Sequence, residues 1–88
     1  MRMKIREKED LVKASFAIFE ELEEHDMCSE YEDEELLREI VGKIGGAYEY
    51  GSDVLECENG SVEVEFREGE IRTKIQRKTF SSYRIMEN

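Results

Sequence analysis

Carboxylates are the reactive groups that this sequence offers at the highest density. Such a cluster could bind a hard cation, perform acid–base chemistry or present a negative surface to a cationic partner. A calcium loop needs acids at alternating positions around a central glycine, and this segment has neither. Ten of the sixteen residues from Glu20 to Glu35 are acidic and none is Lys or Arg: Glu20, Glu21, Glu23, Glu24, Asp26, Glu30, Glu32, Asp33, Glu34 and Glu35.

A second group of candidate ligands is His25 with Cys28, three residues apart, and the distant Cys57. Tetrahedral zinc takes four such ligands, usually in paired short spacings. One close pair and a single remote cysteine fall short of that pattern. We therefore predict no metal site and no cofactor, and a small metal-binding protein is kept only as an alternative.

Nucleophilic catalysis would need a Ser or Cys beside a base and an orienting group. His25 is the one histidine of the chain, and no strand-turn-helix elbow surrounds a Ser or Cys. No glycine pattern resembles a phosphate-binding loop, because Gly42, Gly45 and Gly46 follow a helical pattern rather than precede one. The sequence predicts a protein that is not an enzyme.

The charge balance indicates the kind of partner. The formal net charge is −10, and it divides into +2 over residues 1–19, −16 over residues 20–70 and +4 over residues 71–88. This balance disfavours direct binding to nucleic acid or to an anionic membrane, both of which attract Lys and Arg. The leading hypothesis is a non-catalytic interaction module whose ten acids bind a basic protein surface, as a nucleic-acid-mimic inhibitor of a DNA- or RNA-binding protein would.

The alternative from a different class is a self-associating scaffold subunit. A domain of 88 residues buries a modest core, and a second copy often completes it. The basic C-terminal segment of one copy could lie against the acidic middle of another across a two-fold axis.

Several features predict a cytoplasmic protein. The first ten residues are charged throughout and lack the apolar core of a signal peptide. Two cysteines are too few for a disulfide framework, so Cys28 and Cys57 are predicted to be small buried apolar residues.

Charged residues make up 41% of the chain, and its amides are Asn59, Gln76 and Asn88, a balance typical of thermophile proteins.

Two amphipathic helices are predicted first. Apolar residues recur at three- and four-residue steps from about Glu9 to Glu24, and a second set follows a capping-box candidate at Ser29, with Asp33 as a rival N-cap. Gly45-Gly46 is predicted to end the second helix. The apolar face of the first comprises Leu11, Val12, Ser15, Phe16, Ile18, Phe19 and Leu22, and that of the second Leu36, Leu37, Ile40, Val41 and Ile44.

An antiparallel meander is predicted next. A hairpin turn at Asn59-Gly60 would set Cys57 opposite Val62 and Leu55 opposite Val64. A turn at Glu68-Gly69 would set apolar residues opposite each other on one face and opposite charges on the other. The pairs are Phe66–Ile71, Val62–Ile75, Glu65–Arg72, Glu63–Lys74 and Arg67–Glu70.

Edge strands are predicted at residues 48–50 and 79–86, and residues 2–6 fit either an edge strand or the first helical turn. The fold class is α+β in two layers: a single domain over residues 1–88, with two N-terminal helices on one face of a meander of three to five strands. Phe16, Phe19, Leu37 and Ile40 are expected to cover the apolar face, where Phe66→Ala should cost about 3–5 kcal/mol.

Overall fold

The computed structural model describes residues 1–78 and confirms the two-layer α+β class. Two helices pack on one face of a four-stranded antiparallel sheet of strand order β1-β4-β3-β2. The elements are β1 (Arg2–Lys4), α1 (Lys8–Glu24), α2 (Asp33–Tyr50), β2 (Ser52–Cys57), β3 (Gly60–Arg67) and β4 (Glu70–Arg77). The N-terminal segment is thus a strand, paired with β4. The strand predicted at residues 79–86 lies outside the described residues.

The helices run in opposite directions across the sheet. The Ile5 amide donates to the Gly69 carbonyl at 2.9 Å, which fixes the start of α1 beside the β3–β4 turn. At the other end of the sheet, the Asn59 side chain contacts the loop between the helices. The domain therefore has one end where α1 begins and α2 ends, and another where α1 ends and α2 begins.

The two helices begin with different caps, and α2 does not begin with the predicted cap at Ser29. In α1, the Asp10 carboxylate accepts the backbone N–H groups of Arg6 and Glu7, at 2.7 and 3.1 Å, and these bonds lower the pKa of Asp10. In α2, Glu32 is the N-cap residue, and the helix begins at Asp33. Neither Ser29 nor Asp33 is the N-cap of α2.

The predicted end of α2 lies more than one turn too early. The helix continues through Gly45-Gly46 to Tyr50 and ends at Gly51, whose φ of 103° suits glycine. The fully buried Ala47 packs this last turn into the core. A side chain at Gly46 would overlap the carboxylate of Asp53. Residues 48–50 are consequently helical, not an edge strand.

The β3–β4 register is confirmed at all five predicted pairs, Phe66–Ile71, Val62–Ile75, Glu65–Arg72, Glu63–Lys74 and Arg67–Glu70. The β2–β3 register is shifted by two residues from the prediction: Cys57 pairs with Gly60 and Leu55 with Val62. The turn consists of Glu58 and Asn59, because the Asn59 side chain is bonded to the loop between the helices. A two-residue shift keeps every side chain on its predicted face.

The core lies between the sheet and the inner sides of both helices. Phe19 packs against it in part, whereas Phe16 is 52% exposed, so the prediction that Phe16 covers the sheet is wrong. Val12 and Val41 also lie outside, at 57% and 53%. The buried core comprises Ala14, Ile18, Leu22, Met27, Cys28, Leu36, Ile40, Ile44, Ala47, Leu55, Cys57, Val62, Val64 and Ile71.

Candidate interaction surface

The helix hairpin brings all ten predicted acidic residues to one end of the domain, named here the acidic end. Four of them lie in the last turns of α1, two in the loop, one at the N-cap of α2 and three in its first turn. Nine are exposed, and Glu21 is half-buried. The acidic end comprises Glu20, Glu21, Glu23, Glu24, Asp26, Glu30, Glu32, Asp33, Glu34 and Glu35.

Two connections to the sheet fix the backbone of this end. Cys28 and Cys57 form a disulfide with their Cα atoms 5.0 Å apart, which corrects the prediction of two free cysteines. Both are buried as predicted, but burial also brought them within bridging distance. The Asn59 amide donates to the Asp26 carbonyl at 2.7 Å and accepts the Cys28 N–H at 3.2 Å.

Within residues 1–78, Glu21 is the one member of the acidic end that has a cation within 4.0 Å. Its partner is the N-terminal ammonium of Met1, at 3.7 Å, and it also accepts from the Thr73 hydroxyl at 3.4 Å. Glu30 accepts the backbone N–H of Glu58 at 2.7 Å. The negative charge of this end is therefore largely uncompensated by the described part of the chain.

Two observations show how that charge acts locally. The last turn of α1 carries no basic residue, so Glu23 and Glu24 face the negative end of the helix dipole. The half-buried Tyr31 has its pKa raised, first by loss of hydration and then by the charges of nearby glutamates, Glu39 foremost. Negative charge therefore predominates at this end of the domain.

The outer face of the β3–β4 hairpin offers the opposite arrangement. Glu70 accepts from Arg2 at 2.9 Å and from Arg72 at 3.1 Å, and these bonds lower the pKa of its carboxyl. Arg72 also lies 3.7 Å from Glu68. Glu65 lies directly opposite Arg72 as predicted, but the ion pairs of Arg72 are with the two glutamates at the turn.

The candidate metal ligands do not converge. Within the described residues, no three His, Cys, Asp or Glu side chains are placed to hold a metal ion. The disulfide removes both cysteines as thiolate ligands, and His25 is exposed at the end of α1.

An apolar groove that the sequence did not predict lies between the outer sides of the helices, with a volume of about 350 Å³. The single hydroxyl in its lining, that of Ser15, donates to the Leu11 carbonyl at 3.0 Å within α1. The signal was the width of the apolar stripes, which exceeds what one sheet face can cover. The lining residues are Leu11, Val12, Ser15, Phe16, Leu37, Val41, Ile44 and Gly45.

Comparisons with protein-family models, with curated proteins and with solved structures found no match to this chain. Neither helix of residues 1–78 has the length and apolar character needed to cross a membrane.

Proposed function

We propose that this protein is a non-catalytic interaction module whose acidic end binds a basic protein surface. One observation carries the proposal: the fold concentrates ten acidic residues at one end, and within residues 1–78 a single one of them has a cation within ion-pair distance. If the negative charge served solubility alone, an even distribution over the surface would be equally effective. Concentration at one end produces a local field that steers a cationic partner.

The construction of the acidic end supports a binding role. Acids in the last turn of α1 oppose the helix dipole and repel their neighbours, so they act against the stability of the fold. Violations of a local rule that recur at one place are typical of functional surfaces. The Cys28–Cys57 disulfide and the Asn59 hydrogen bonds hold the backbone there, which reduces the ordering cost of binding.

The sharper form of the proposal is a nucleic-acid mimic. Closely spaced carboxylates would occupy the phosphate-binding groove of a DNA- or RNA-binding protein, where Lys and Arg are already arranged for anions. The partner is then a basic nucleic-acid-binding protein, and the consequence of binding is inhibition. We propose the cytoplasm as the compartment.

A matched pair of variants tests the acidic end directly. The first carries Glu23→Gln, Glu24→Gln, Glu32→Gln and Glu35→Gln. The second, a control, carries Glu9→Gln, Glu49→Gln, Glu63→Gln and Glu68→Gln, all outside the acidic end. All eight residues are exposed, and each variant changes the formal net charge from −10 to −6.

Wild type and both variants are immobilised and exposed to host lysate at low and high salt. The proposal predicts that a basic protein is retained at low salt by wild type and by the control, and is lost from the acidic-end variant. The mimic form further predicts that the retained protein releases its nucleic acid when wild type is added. Equal loss from both variants would attribute retention to net charge alone, and retention of no basic protein by wild type would refute the proposal.

A further inference from the structure

The outer face of the helix layer is more apolar than a two-layer domain requires. The inner sides of α1 and α2 already bury a core against the sheet. On the outside, Val12, Phe16 and Val41 remain more than half exposed around the groove. A grouped apolar surface of this kind is typical of a protein–protein interface. The Ser15 hydroxyl is engaged within α1, so the lining offers no polar group to orient a small polar ligand.

We propose that a second copy of this chain covers the groove, with its helix layer face to face against the first and a two-fold axis perpendicular to the helices. This inference goes beyond the proposed function, because it concerns the apolar groove, and Glu20 is the one residue of the acidic end that it uses. Such an axis sets α1 against α1 of the second copy in antiparallel orientation, and α2 against α2.

The order of side chains along each helix is self-complementary about such an axis. If the axis passes beside residue 14 of α1, Val12 and Phe16 lie equally far from it along the helix. Val12 of each copy would then contact Phe16 of the other. In α2, Leu37 and Gly45 are equidistant from Val41. A Cβ at Gly45 would meet no atom within 4 Å, so the space above it can receive the Leu37 side chain of the second copy.

Charge selects this axis over one parallel to the helices. A parallel axis would place the two acidic ends side by side, where they would repel each other. The perpendicular axis separates them to opposite ends of the dimer. It also brings Lys8 towards Glu20 of the second copy, because each lies six residues from position 14. The groove and the charged ends thus favour the same arrangement.

The first experiment measures the mass of the full chain by sedimentation equilibrium over a concentration range up to roughly 100 μM. We expect a dimer of twice the 10.4 kDa chain mass. Phe16→Lys should weaken it at least ~30-fold, because it places a charge in the centre of the interface. Tyr50→Lys, at a residue 80% exposed and outside the groove, is the matched control and should leave the dimer unchanged.

The second experiment tests the orientation with Lys8→Glu, Glu20→Lys and the double variant. Each single change suits the dipole of α1, an acid at its start or a base near its end, so the monomer is not expected to lose stability. Each single change should weaken the dimer, and the double variant should restore it, since the pair is re-formed with its signs exchanged.

A wild-type monomer over the whole concentration range would overturn the proposal. A dimer that Phe16→Lys and Tyr50→Lys weaken equally, or that neither weakens, would also overturn it, since another surface would then be responsible. A double variant weaker than both single variants would refute the perpendicular axis. Circular dichroism melting of Phe16→Lys confirms that loss of the dimer is not loss of the fold. Glu20 is unchanged in both variants of the retention experiment, so that experiment tests the acidic end independently of the dimer.

Discussion

Charged side chains crowd two regions of this molecule, the outer face of the β3–β4 hairpin and the acidic end, and the two differ in how the charges are placed. On the hairpin, anions lie opposite cations on the paired strands, and Glu70 contacts both Arg2 and Arg72. At the acidic end, no Lys or Arg occurs between Glu20 and Glu35. Opposite charges on paired strands form ion pairs with each other and favour one strand register. Charges of one sign leave their field available to a partner.

The largest expected effect separates packing from charge within the hairpin itself. Ile71→Ala should destabilise the domain by about 2–5 kcal/mol, because Ile71 is fully buried beneath the helices. Glu65 lies on the neighbouring strand and on the outer face of the sheet, so Glu65→Ala should lower the free energy of unfolding by well under ~1 kcal/mol. Phe66 is only half-buried, with its ring 4.9 Å from that of Tyr48, so Ile71 is the sharper probe. Urea denaturation measures both, and a reversed order would mean that the faces are exchanged.

The next effect concerns what holds the acidic end to the sheet. The double variant Cys28→Ser, Cys57→Ser should lose about 2–4 kcal/mol of unfolding free energy, because the disulfide closes a loop across a sequence separation of 29 residues. Thermal melting with and without reductant checks the same quantity in wild type. A melting temperature that reductant leaves unchanged would contradict a structural role for the bridge. Disulfides are unusual in cytosolic proteins other than those of hyperthermophiles, so the proposed cytoplasmic location would require a thermophile source.

A smaller effect tests whether the acidic end is arranged against its own helix. Glu24→Lys and Glu34→Lys both reduce repulsion within the acidic end, but they lie at opposite poles of helix dipoles. Glu24→Lys places a cation in the last turn of α1, and Glu34→Lys places one in the first turn of α2. The first variant should exceed the second in stability by roughly 0.5–2 kcal/mol, measured by urea denaturation. Equal stabilities would show that the dipole has no part in the cost of this surface.

The smallest effect is the pH response of the hairpin. Because Arg2 and Arg72 lower the pKa of Glu70 in the folded state, its contribution to stability is complete at neutral pH. That contribution is lost as the pH falls through the lowered pKa, so wild type should lose more stability than Glu70→Gln between about pH 5 and pH 3. Glu49→Gln, at an exposed residue with no ion pair among residues 1–78, is the matched control. An identical pH response in wild type and Glu70→Gln would argue that the two arginine contacts are not maintained in solution.

The sequence was sufficient for the β3–β4 hairpin because two independent patterns agreed there. Apolar alternation and opposite charges both specify one register, and a one-residue slip would destroy both. The start of α1 was also predicted within one residue: the expected first residue was Glu9, and the helix begins at Lys8. Where local patterns agree and no tertiary contact opposes them, propensity and periodicity are sufficient to predict the structure.

Where the sequence was insufficient, a tertiary contact decided the outcome. Gly45-Gly46 has the local preference to end α2, but burial of Ala47 extends the helix to Tyr50. The Asn59-Gly60 turn moved because the Asn59 amide is bonded to the loop between the helices. The ten acids of the acidic end could be named from the sequence, whereas their convergence at one end follows from the antiparallel helices.

Mapping where a basic ligand contacts the molecule tests directly whether the acidic end is the binding surface. Titration of the ¹⁵N-labelled protein with an arginine-rich peptide, followed by amide chemical shifts, compares the acidic end with the outer face of the hairpin in one sample. We expect the shifts to concentrate in residues 20–35 and to disappear at high salt, while residues 63–74 change little. Shifts spread evenly over both regions, or concentrated on the hairpin, would contradict this expectation.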